Sequence, residues 1–164
     1  YEGVMNIAEH YKSEDMSNAA MAEELMKVNA DSLGAVGRAK FDELTGKIYP
    51  DACKKQYRAA KEAYDSGEYD TVISSLETVM QMDESYNDGA AMLLLAQGYE
   101  KKGDQDKANT TYQKIIETWP DTDVATQAQQ ALDAQSGNTD NSDSKKSDDT
   151  KKNSDNDDNG DNNN

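Results

Sequence analysis

The chain has 164 residues, room for one domain of ordinary size, and carries a formal charge of −16. That excess has the wrong sign for nucleic acid or an anionic membrane surface, which need clustered Lys and Arg. A single cysteine, Cys53, allows no internal disulfide, and a single histidine, His10, gives no cluster for structural zinc and no Ser-His-Asp set beyond chance.

Read from the N-terminus, Ile7, Ala8 and Tyr11 recur at helical spacing, and Ala20 follows on a second segment. The spacing predicts helices near 2–12 and 15–29. Because the chain opens with Tyr rather than Met, it is read as a piece of a longer protein, with any anchor or export signal outside it. No apolar run is long enough to span a membrane.

Residues 33–49 put Gly37, Phe41, Leu44 and Ile48 on one stripe and predict another helix. Pro50 follows, then a further helical pattern over 51–66. Two readings stand side by side here. One is a single long helix bent at the proline. The other is two helices, because the residue before proline is pushed from helical angles.

From residue 53 the pattern becomes a repeat. Counting Cys53 as position 1, Ala60, Ala63, Gly67, Val72, Leu76 and Val79 fall at positions 8, 11, 15, 20, 24 and 27. Counting Gly89 as position 1, Ala96, Tyr99, Gly103, Ala108, Tyr112 and Ile115 fall at the same positions, with Met92 at 4 and Pro120 at 32. Small residues at 8 and 20 let two helices approach, bulky ones fill the gaps between them, and proline ends the second helix. The N-terminal segment is a weaker third copy with Asp15 in place of the glycine. After Pro120, Val124, Ala128 and Ala131 form a stripe that predicts a final helix over 122–135, capped by Asp121 or Thr122.

This spacing resembles the tetratricopeptide repeat, a 34-residue helix–turn–helix unit. The resemblance implies an all-α, right-handed superhelix of about seven helices, with repeats at about 1–34, 53–86 and 89–122. It implies a non-catalytic scaffold for a protein or peptide. The wording "WPDTDVATQAQQAL" is similar to repeats of bacterial cell-envelope proteins. That likeness suggests the extracytoplasmic face of a membrane and a second function: a structural spacer or oligomerisation module with a solvated tail.

In such repeats the first helix of each unit lines the concave surface through positions 2, 5, 6, 9, 12 and 13. Here these positions hold Lys54, Tyr57, Arg58, Lys61, Tyr64 and Asp65. In the following unit they hold Ala90, Leu93, Leu94, Gln97, Glu100 and Lys101. At 100° per residue, 54, 57, 58, 61 and 64 cluster on one side of a helix. The expected site is a basic strip edged by tyrosine, beside an apolar seat at Leu93 and Leu94, with Gln97 and Lys101 beyond; its expected ligand is an acidic peptide. Chaperone-binding relatives hold a carboxylate with a Lys–Asn and Lys–Arg clamp. Lys54 and Arg58 match one half, but Met5 and Glu9 stand where the other would be.

No cofactor is implied. Adjacent carboxylates such as Glu23 and Glu24, or Asp42 and Glu43, point in different directions on a helix and suit a solvated face. From Ser136 onward the sequence has no aliphatic, aromatic or sulfur-bearing residue, so 136–164 is expected to be a disordered tail. "DNDDNG", 155–160, resembles the first half of a calcium loop. The sequence supplies neither the acidic twelfth position nor the flanking helical patterns.

Overall fold

In a computed structural model, which describes the backbone of residues 1–140 and side chains through residue 136, the chain is all-helical. Seven α-helices follow one another: α1 (Glu2–Ser13), α2 (Asn18–Met26), α3 (Ala35–Asp65), α4 (Tyr69–Met82), α5 (Ala90–Lys102), α6 (Gln105–Thr118) and α7 (Asp123–Asp140). Each packs on its neighbour in sequence, and α1, α3, α5 and α7 also touch in series. This is the contact pattern of a solenoid of antiparallel helix pairs resembling tetratricopeptide repeats. Among the described residues there is no strand. No helix there is long and apolar enough to cross a membrane.

The turns inside the second and third pairs share one construction. Gly67 (φ 76°) and Gly103 (φ 92°) both adopt the left-handed conformation. Glu68 N–H donates to the Ala63 carbonyl at 2.8 Å, and Asp104 N–H to the Tyr99 carbonyl at 2.9 Å. Gly67 and Gly103 N–H donate to the carbonyls of Tyr64 and Glu100. These bonds close a Schellman motif that satisfies the last carbonyls of α3 and α5. In the first pair Glu14 takes the left-handed position at φ 53°, one residue before the Asp15 that the repeat count marks. The register of α2 shifts accordingly. Ala20 is half-buried, while Met21, Ala22 and Leu25 face the core.

Pro50 does not divide the chain. Residues 35–65 form one helix of 31 residues with the proline inside it. The reading of two separate helices is therefore set aside. Proline removes one N–H and crowds the carbonyl four residues back. That carbonyl belongs to Gly46, which has open space around its α-carbon. Packing on both sides of the proline supplies what the local preference lacks. Gly37, Leu44, Ile48 and Ala52 face one core, and Cys53, Ala60 and Ala63 face the next.

The interior is correspondingly two clusters. The first gathers Val4, Ile7, Ala8, Met21, Ala22, Leu25, Leu44, Ile48 and Ala52 from α1, α2 and the front of α3. The second runs from Cys53 through α4, α5 and α6 to Ala128 of α7. Met82, at the end of α4, packs against both. The repeat positions are filled as the spacing requires: Ala60, Val72, Leu76, Val79, Ala96, Ala108 and Ile115 are fully enclosed.

Thr122 caps the last helix, its hydroxyl accepting from Ala125 N–H at 3.4 Å. Val124, Ala131 and Leu132 close the second core, as a terminal helix must. The helix continues past Gln135 to Asp140. It passes through Ser136, whose hydroxyl donates to the Leu132 carbonyl. The rest of the expected tail, 141–164, and with it the calcium-like run, lies outside the described residues.

Ala108 sits at the crossing of α5 and α6 with no exposed surface. Ala108→Leu is expected to overpack that crossing and cost about 1–3 kcal/mol in urea unfolding. A neutral result would show that the helices meet elsewhere.

Candidate functional site

The strip on α3 begins just after the handover between cores. Ala60 and Ala63 turn inward, which rotates Lys54, Arg58 and Lys61 outward, and all three are exposed. Tyr57 and Tyr64 lie between the two faces and are half-buried. Each is braced by another tyrosine. Tyr57 meets Tyr86 edge-on with ring centroids 5.6 Å apart, and Tyr64 meets Tyr69 in the same way at 5.6 Å. Lys61 Nζ stands 5.5 Å from the centre of the Tyr57 ring. The strip is thus a row of cations on a helix whose tyrosines are fixed by T-shaped contacts.

Ion pairing separates this row from the other cations. Lys27, Arg38, Lys40, Lys47, Lys55, Lys102, Lys107 and Lys114 each hold an aspartate or glutamate. Among the described residues Lys54, Arg58, Lys61 and Lys101 hold none; Lys12 of α1 is the remaining cation of this kind. The paired cations show what a neighbouring charge does on this surface. Hydrogen bonds from Lys40 and Lys47 hold the Glu43 carboxyl down at about 2. Asp51, bound by Asn18 at 2.9 Å and by Lys55 at 3.0 Å, is likewise held below the usual carboxylate range, first by Asn18 and then by Lys55.

The second half of the expected site is only partly present. Leu93 is 7% exposed and belongs to the core, so it is no open seat for a ligand side chain. The physical reason is the run Ala90, Ala91, Met92, Leu93, Leu94, Leu95, Ala96, which makes α5 apolar nearly all round; such a helix is enclosed by its neighbours. Leu94 and Gln97 are half-buried, and Lys101 is exposed at the end of α5. What sequence reasoning missed are Tyr69 and Tyr86, which fix the aromatic edge from outside α3. Their only sequence signal is a tyrosine at each end of α4 and its following turn.

Two tyrosines of the third pair perform a different task. Tyr99 donates to Glu77 Oε1 at 2.7 Å, joining α5 to α4, and Tyr112 donates to Glu100 Oε2 at 2.6 Å, joining α6 to α5. Burial first, then the accepting carboxylate, pushes both phenols well above their ordinary value. They remain hydrogen-bond donors across the neutral range. Cys53 is enclosed, and burial pushes its thiol up to about 11, which suits a core filler rather than a nucleophile. His10 Nδ1–H donates to Asp15 Oδ1 at 2.8 Å across the α1–α2 turn. Among the described residues no three of His, Cys, Asp and Glu are grouped to hold a metal.

Antiparallel helix pairs stacked through alanine crossings define a helical-repeat architecture, which in general serves protein interaction. Residues 90–122 match the tetratricopeptide repeat, and the helical pairs around them are consistent with the same architecture. The repeat is in general a non-catalytic protein-interaction module. No curated protein and no solved structure matches the chain significantly.

Arg58 makes no ion pair among the described residues and is exposed, so the fold does not depend on it. Arg58→Gln is expected to change the unfolding free energy by less than about 0.5 kcal/mol, as for other surface positions. A loss of several times that in urea titration would make Arg58 part of the fold rather than of a recognition surface.

Proposed function

We propose that the chain is a non-catalytic scaffold that binds an extended acidic peptide across α3 and α5. One observation carries this reading: in a protein of charge −16, among the described residues, Lys54, Arg58, Lys61 and Lys101 form no ion pair while most of the other cations do. Carboxylates are abundant in this sequence, and Glu62 and Asp65 follow Arg58 and Lys61 by one turn of α3, yet among the described residues none forms an ion pair with these cations, which are left without close partners. An incoming acidic segment would supply them. Arginine at 58 would grip a carboxylate with two parallel bonds, and the lysines on either side would act as point charges.

Tyr57 and Tyr64 would add apolar area at small entropic cost, since their rings are already held by Tyr86 and Tyr69. Leu94 is the apolar contact on α5 in place of the enclosed Leu93, with Gln97 available for a backbone bond and Lys101 for a further carboxylate. The surrounding acidic surface would repel an acidic ligand elsewhere, so charge would steer it to this strip.

A fluorescein-labelled peptide of alternating Asp and Leu serves as a probe. It should bind the full chain with affinity that falls as salt rises. Arg58→Glu should weaken that binding more than tenfold while helicity stays constant, and Glu9→Gln on α1 should leave it unchanged. Full affinity in Arg58→Glu would refute the site.

A further inference from the structure

The charge of the C-terminal sequence is segregated. Over 140–152 four aspartates are balanced by Lys145, Lys146, Lys151 and Lys152. Over 155–161 Asp155, Asp157, Asp158 and Asp161 stand with no lysine among them. This second run matches the chemistry that the α3 strip lacks, and it belongs to the same chain. We propose that residues 155–161 occupy the strip formed by Lys54, Arg58 and Lys61 as an internal competitor for the acidic partner. This inference rests on the peptide-binding reading above and adds its regulation.

Geometry permits the contact. Helix α7 packs on α5 and α5 on α3, so two steps of roughly 8–10 Å separate α7 from the strip. The three helices occupy equivalent places in successive pairs, so they run in the same direction, and Asp140 lies toward the end of α3 that carries Tyr64. Fourteen residues, 141–154, lie between Asp140 and the acidic run. A flexible tether of that length would span roughly 20 Å on average and up to about 45 Å when extended. A tether of this size gives a local concentration in the millimolar range. Contacts between such charges are weak and screened by salt. The internal segment would therefore lower the affinity of an external peptide several-fold rather than abolish it, and a tighter partner would displace it.

The balanced stretch before it has a physical part in this arrangement. Equal numbers of Lys and Asp would give the tether no net attraction to either the strip or the acidic helices. Only the terminal run would be selected by the cations of α3.

The test uses the full chain and a variant in which Asp155, Asp157, Asp158 and Asp161 are all changed to Asn, which removes charge and keeps size. Backbone amide spectra of the two are compared at low and at high salt. Peptide affinity is measured in parallel with the same alternating Asp–Leu probe. The expected result is a set of amide differences concentrated at residues 54–64 that vanishes at high salt, with peptide affinity about threefold or more higher in the variant. Coincident spectra at low salt, or differences that avoid 54–64, overturn the proposal. If the spectra coincide and both chains bind the peptide equally at the strip, the binding reading survives without its internal competitor. If the differences at 54–64 appear but neither chain binds the peptide, the internal contact stands and the peptide reading falls.

Discussion

The constraint on which the rest depends is the continuity of α3 through Pro50. A solenoid has no common core; its stability is a sum of contacts between neighbours. Here those contacts fall into two clusters that divide between Ala52 and Cys53, adjacent residues of one helix. Met82 packs against both clusters, and α3 runs through the two and joins them covalently in one helix. The helix accepts a proline because burial on both sides outweighs one lost hydrogen bond. Leu44, Ile48 and Ala52 secure its front half, Ala60 and Ala63 its back half.

The same helix explains where the charged strip lies. Helical spacing fixes the angle between the inward alanines and the outward cations, so a register set by packing also sets the recognition face. Burial of Ala60 and Ala63 presents Lys54, Arg58 and Lys61 as a row. The strip then inherits its rigidity from the helix and from the two tyrosine pairs, Tyr57 with Tyr86 and Tyr64 with Tyr69. Other cations, Lys40, Lys47, Lys55, Lys102 and Lys114, each hold a carboxylate. The result is an acidic protein in which, among the described residues, Lys54, Arg58 and Lys61 on one stretch of α3 form no ion pair.

Most of the fold was legible because it is written in short-range spacing. Glycine at 67 and 103 forecast the turns, and alanine at 60, 96 and 108 forecast the crossings. Two things were not legible. The fate of Pro50 is settled by packing at long range against a local preference, which no window around residue 50 contains. In the first pair, the left-handed turn is taken by Glu14 without glycine, and α2 shifts by about one residue as a consequence. At the site, the exposure of Arg58 and the lysines followed from helical angle alone. Leu93 was assigned to a groove by its position in the repeat, although the apolar run around it already implied enclosure. The tyrosine braces join residues brought together only by folding.

Backbone carbon chemical shifts across residues 44–56 test the central claim most directly. A single helix through Pro50 predicts helical secondary shifts without interruption from Leu44 to Gln56, weakened at most beside Gly46 and Tyr49. Coil or extended values at residues 47–50, between two helical stretches, would divide α3 and contradict the account.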